Sequence, residues 1–139
     1  MKILLVIIRN FYTYQKERFP IVLLSLGFLP AILSSGAIIA ESVTLEFVLL
    51  AFVVSIAYLL HVRIVDEFRD YEHDLKHHKE RPVSAGIISL EELRIIDWIA
   101  ISAVVLVALY AGMQALIIAI AMLAYSFLAR NEFFLGLRL

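Results

Sequence analysis

The sequence contains no cysteine. Disulfides and thiolate metal sites are therefore excluded, and the redox compartment is left open. Proline and glycine are sparse, three and five in 139 residues. Breaks between elements are few, and each one is a usable landmark. Charge is also short, with 18% Asp, Glu, Lys or Arg and a formal net charge of −1. No basic patch exists on which nucleic acid would bind. The apolar start, residues 1–8, is followed by no small-residue cleavage pattern, so no signal peptide is evident.

What is present is apolar. Hydrophobic residues make up 63% of the chain, and mean hydropathy is +0.93. Soluble domains run nearer half apolar, and a chain this small cannot bury such an excess in its own core. A membrane is the natural solvent. The pattern predicts an all-α integral membrane protein with four transmembrane helices.

Residues 1–19 mix Lys2, Arg9, Lys16 and Arg18 with Phe11, Tyr12 and Tyr14. Aromatics among cations favour a membrane interface, so this segment reads as an interfacial helix. Residues 20–40 carry no charge and form the first span, with Pro20 at its start and a kink expected at Pro30. Gly27 and Gly36 permit close packing along it. A polar turn follows, and residues 45–65 form the second span. His61 and Arg63 sit in its last turns, where snorkelling or pairing is the ordinary fate. Residues 66–92 read as a polar loop. Within it, Ser89-Leu90-Glu91-Glu92 fits a capping box that opens the next helix. Spans three and four are 93–111 and 114–130, split at Gly112-Met113-Gln114, with Trp98 as an interfacial anchor. Residues 131–139 are a tail.

Lysine and arginine are confined to the N-terminal segment, the 63–94 region and the C-terminal end. The positive-inside rule puts these three on the cytoplasmic side, or its equivalent, together with both termini.

The chain is organised around residues 63–82, a dense polar island. Asp66, Asp70 and Asp74 are spaced four apart, which puts them on one face of a helix. Like charges at that spacing repel unless something positive binds them, which points to a metal. Spacing alone equally fits a solvated loop. His73 and His77 sit at i and i+4, a chelating spacing on a helix. Three histidines in a polar juxtamembrane stretch (His78 is the third) more often simply meet water.

The island resembles the first aspartate-rich motif of the UbiA-type membrane prenyltransferases. The matching run is Asp66-Glu67-x-x-Asp70-x-x-x-Asp74 after the second span, then Lys76 and Lys79, then Arg81-Pro82-x-x-x-Gly86 and Ser89. The lead-in Tyr14-Gln15-Lys16-Glu17-Arg18-Phe19-Pro20 is also similar to that of some members. Asp66 stands where the family has Asn, and Glu67 where it has its first Asp. Both keep an oxygen ligand. The resemblance implies the first half of a helical barrel that transfers a prenyl group from an isoprenoid diphosphate to an often aromatic acceptor. It implies Mg2+ held by Asp70, Asp74, Glu67 and Asp66. It implies Arg81, Lys76 and Lys79 on the diphosphate, Arg81 being favoured for its fork geometry. Members of the family carry further spans and a second Asp-rich motif, which are expected here from a second-half chain or a partner copy.

Two other readings compete. One is a non-catalytic membrane protein that binds metal or lipid diphosphate, or a subunit awaiting its partner. The other is a small metal-ion transporter, against which the apolar middles of the spans carry no acidic or amide ligand, Glu46 and Asp97 lying near span ends and Gln114 at a turn. Phosphatidyl-transferring enzymes need an Asp-Gly pair, and the island has no glycine. Lipid and an isoprenoid diphosphate are the expected small partners.

Overall fold

The computed structural model describes residues 2–39 and 42–130. Every element among them is helical: α1 (Lys2–Arg18), α2 (Ile21–Ile39), α3 (Leu45–His77), α4 (Leu90–Ala111) and α5 (Met113–Arg130). The expected tail at 131–139 and the last residue of the first span, at 40, lie outside the described residues.

Three helices, α2, α3 and α4, are long and apolar enough to cross a membrane. Helix α5 is apolar but shorter. Large apolar side chains lie open along these helices, Val22 at 77% and Ile38 at 85% exposure among them. In water such a surface would be an aggregation liability; against lipid it is ordinary.

The element boundaries follow local chemistry. Thr44 caps α3, its hydroxyl accepting from the Phe47 amide at 3.1 Å. Ser89 caps α4, and the predicted capping box is complete. The Ser89 hydroxyl accepts from the Glu92 amide, and Glu92 accepts from the Ser89 amide at 2.8 Å. Helix α4 stops at Gly112, whose φ of +114° few other residues adopt, and α5 starts at once. Helix α2 continues through Pro30 as one element.

The largest departure from expectation is in the island. The stretch expected as a loop from residue 66 is helix as far as His77, so α3 has 33 residues. At 1.5 Å per residue it is about 50 Å long, well beyond a hydrocarbon core of roughly 30 Å. Its acidic repeat does not break it, because arginines answer each carboxylate, as described below. The first proline after α3 begins is Pro82.

Helix α3 is the spine. It packs against α4, α2 and α5, and α4 packs against α5. The core contains Ala57, Leu60 and Ile64 of α3 with Leu93, Ala100 and Val104 of α4. Alanines at these crossings let the backbones approach closely, which is what holds helices together in lipid. Tyr14 of α1 and Val83 and Ile88 of the 78–89 turn close the core at the acidic end.

Candidate functional site

The polar end of α3 divides its carboxylates by direction. Glu67 faces α1. Its side chain is 2% exposed, and its Oε1 accepts from Arg63 Nη2 at 2.7 Å, Arg18 Nε at 2.9 Å and Tyr14 Oη at 3.4 Å. Two guanidiniums and a phenol thus surround one buried oxygen, each donating to it. Burial, and then the Glu67 charge, push the Tyr14 hydroxyl well above its ordinary range, so it remains a donor.

Asp74 faces the turn after the helix. Arg81 Nη1 donates to both of its oxygens, at 2.6 and 2.7 Å. The pair is set by local backbone. Arg81 N bonds His78 O, Ala85 N bonds Arg81 O, and Ile87 N bonds Pro82 O, while Gly86 takes φ +73°. Pro82, Val83 and Ile88 are buried beneath, so the turn is anchored. Burial alone would raise the Asp74 carboxyl. The Arg81 guanidinium, with help from His73 and His78, more than reverses this and holds it below the usual range.

Asp66 and Asp70 face water. Arg69 lies between them, 3.1 Å from Asp66 and 3.0 Å from Asp70. Arg63 is 3.9 Å from Asp66. Lys76 and Lys79 are exposed at the end of α3 and just beyond it. The residues expected as one metal and diphosphate site therefore form three groups: Glu67 with α1, Asp74 with Arg81, and Asp66 with Asp70. Among the described residues, the potential metal ligands that do come together are His73, Asp74 and His78, with donor atoms all within 4.8 Å.

A second polar group lies deeper. His61 has a fully buried side chain. Its Nδ1 is 2.7 Å from Asp97 Oδ1 of α4, and its Nε2 is 2.7 Å from Ser126 Oγ of α5. With Asp97 ionised, Nδ1–H is the donor to it. The Ser126 hydroxyl is also 2.7 Å from the Leu123 carbonyl and so has two places to send its single hydrogen. The atom order is that of a hydrolytic triad. The setting is not, because Ser126 is mid-helix, where backbone amides are committed to the helix ladder and cannot form an oxyanion hole.

An apolar groove of about 360 Å³ lies between α3, α4 and α5, and the trio follows its lining residues along each helix. On α3 the groove stripe runs Ala51, Val54, Tyr58, and His61 is the next position in register. On α5 it runs Ala115, Ala119, Met122, with Ser126 next. On α4, Asp97 is two turns beyond Val104. The Tyr58 hydroxyl donates to the Met122 carbonyl at 3.3 Å, across the groove where the trio begins.

The sequence left His61 as snorkelling or paired; the structure pairs it, with partners the sequence did not name. They are 36 and 65 residues away. Only the polarity of His61, Asp97 and Ser126 within otherwise apolar helices hinted at a connection. Compared with protein families, curated proteins and solved structures, the chain matches none.

Proposed function

We propose that this chain is part of a magnesium-dependent membrane prenyltransferase of the UbiA type. It carries the first aspartate-rich motif and half of the substrate cavity. The observation that carries this reading is the continuity of α3. One helix runs from an apolar groove to a carboxylate face followed directly by Arg81. A hydrocarbon-tailed diphosphate has that same division of polarity.

In this reading α5 is a fourth span. Its 18 residues cover about 27 Å at the helical rise. Both termini and the acidic end of α3 are cytoplasmic by the positive-inside rule.

The donor set fits magnesium at Asp66 and Asp70. These are hard oxygen ligands open to water, and magnesium takes one or two carboxylates, keeps several waters and binds substrate phosphates. Bound there, the ion would neutralise the departing diphosphate. Arg69 lies between these two carboxylates, and Arg81, held on Asp74, is the next cation along the same run of aspartates. Engaging a phosphate would require it to share or leave Asp74. Lys76 and Lys79 add positive charge at the mouth. The apolar helices exclude water from the allylic cation. A second-half chain or a second copy completes the cavity, covering the apolar faces of α2 and α5.

One observation favours the non-catalytic alternative. Glu67 and Asp74 are already neutralised by arginines, as in a structural site. A prenyl-transfer assay on membranes expressing the chain, alone and with a candidate second half, separates the two. With Mg2+, an isoprenoid diphosphate and a phenolic acceptor, transfer is expected that Asp70→Ala and Asp74→Ala abolish. Transfer that survives both substitutions refutes the site. Absence of transfer in every combination refutes the enzyme.

A further inference from the structure

The histidines after Asp70 are not spread through solvent. Those of His73 and His77 have ring centroids 4.7 Å apart, and those of His73 and His78 are 5.7 Å apart. His73, Asp74 and His78 each place a donor atom within 4.8 Å of the others. Backbone geometry causes this. His73 and His77 are one turn apart on α3. His78 is the C-cap, its amide bonded to the Asp74 carbonyl at 2.9 Å, which folds its ring back over the last turn. The last turn of a helix also presents carbonyls with no helical partner, the end of the dipole that favours a cation.

We propose that His73, His77 and His78, with Asp74 as the carboxylate donor, form a site for a zinc-class transition-metal ion at the end of α3. Imidazole nitrogens with one carboxylate suit Zn2+, Co2+ or Ni2+; they do not suit Mg2+, which takes oxygen donors. A zinc ion takes nitrogen donors at about 2.0–2.1 Å, so the ligands must close to about 3.3 Å from one another. His73 is 66% exposed and His78 37% exposed, so rotating their side chains disturbs no core.

Asp74 makes the site conditional. Its Oδ1 is 3.7 Å from His73 Nδ1 and 2.6 Å from Arg81 Nη1. An ion that takes Oδ1 competes with Arg81 for it. Metal binding therefore loosens Arg81 from α3. This site shares Asp74 and Arg81 with the prenyl-transfer reading, but it does not depend on that reading and is tested without substrate.

The experiment is a Co2+ titration of the purified full chain in detergent, with no affinity histidine tag, followed by Zn2+ competition. One equivalent of Co2+ is expected to give visible absorption bands, which Zn2+ abolishes and millimolar Mg2+ leaves in place. His73→Asn and His78→Asn are each expected to weaken binding at least tenfold. Arg81→Gln, which frees Asp74, is expected to tighten it severalfold, a gain that misfolding cannot mimic. Absence of saturable absorption, or equal affinity in the His73→Asn/His78→Asn double variant, overturns the site. Unchanged or weaker binding in Arg81→Gln overturns the place of Asp74 in it.

Discussion

Replacing Glu67 with Gln tests whether the acidic end of α3 holds α1 in place. Glutamine keeps the shape and one acceptor oxygen. It removes the charge and adds an N–H group facing two guanidiniums. The lost contacts are charge-assisted bonds from Arg63 at 2.7 Å and Arg18 at 2.9 Å, on a carboxylate 2% exposed. Breaking a buried pair from one side costs about 3–5 kcal/mol. Arg18 and Arg63 are 21% and 26% exposed, so water partly rescues them and the lower end applies. A loss of about 3 kcal/mol is roughly a hundredfold in an opening equilibrium. The assay is tryptic cleavage at Lys16 and Arg18 in mild detergent, which requires α1 to detach. Cleavage of Glu67→Gln is expected to be roughly a hundred times faster than that of the parent in the regime where opening equilibrates first. Glu72→Gln makes the same change of charge at an exposed position and is expected to have no effect. Equal cleavage of parent and Glu67→Gln refutes the docking role.

Acid exposes two further groups. The Asp74 and Glu92 carboxyls are both held below their ordinary values of 3.8 and 4.5, burial being outweighed by Arg81 in one case and by Ser89 and Asn10 in the other. A depressed carboxyl stabilises the fold above its unfolded value and loses that contribution as pH falls through the folded one. Helicity followed by circular dichroism from pH 6 to about 2 should therefore drop below about pH 4.5, and less steeply in Asp74→Asn with Glu92→Gln. A double-mutant cycle on His61→Gln and Asp97→Asn, read by unfolding in detergent, should give a coupling of about 1–2 kcal/mol; additive effects would mean that the 2.7 Å contact contributes nothing.

The helices were legible because their signals are local. Ser89 and Glu92 announce α4 three residues apart, and Gly112 announces the break before α5. The end of α3 was not legible. Three aspartates four apart repel one another on a helix face, and their relief comes from Arg69 within the repeat and Arg81 across a turn. Pairing of that kind depends on geometry that spacing does not encode. Glu67 and Asp74 are seven apart and share a face, yet they meet different partners, because α1 lies beside one and the 78–89 turn beside the other. His61 shows the same limit, since its hydrogen-bond partners come from two other helices.

Asp66, Glu67, Asp70 and Asp74 of α3 are therefore not equivalent toward a cation. Glu67 and Asp74 are 2% and 5% exposed, and each is held by arginine from another segment of the chain. Displacing those arginines would detach α1 or the Arg81 turn and leave buried charge unpaired. Asp66 and Asp70 are 30% and 44% exposed, and the arginine between them belongs to α3 itself. An exposed ion pair contributes about 0–1 kcal/mol, so breaking the pairs of Arg69 with Asp66 and Asp70 costs little. A divalent cation reaching this face from water thus meets Asp66 and Asp70 first. It can engage Asp74 only as Arg81 lets go, so Arg81 is the residue through which a cation on Asp74 would be felt by the rest of the fold.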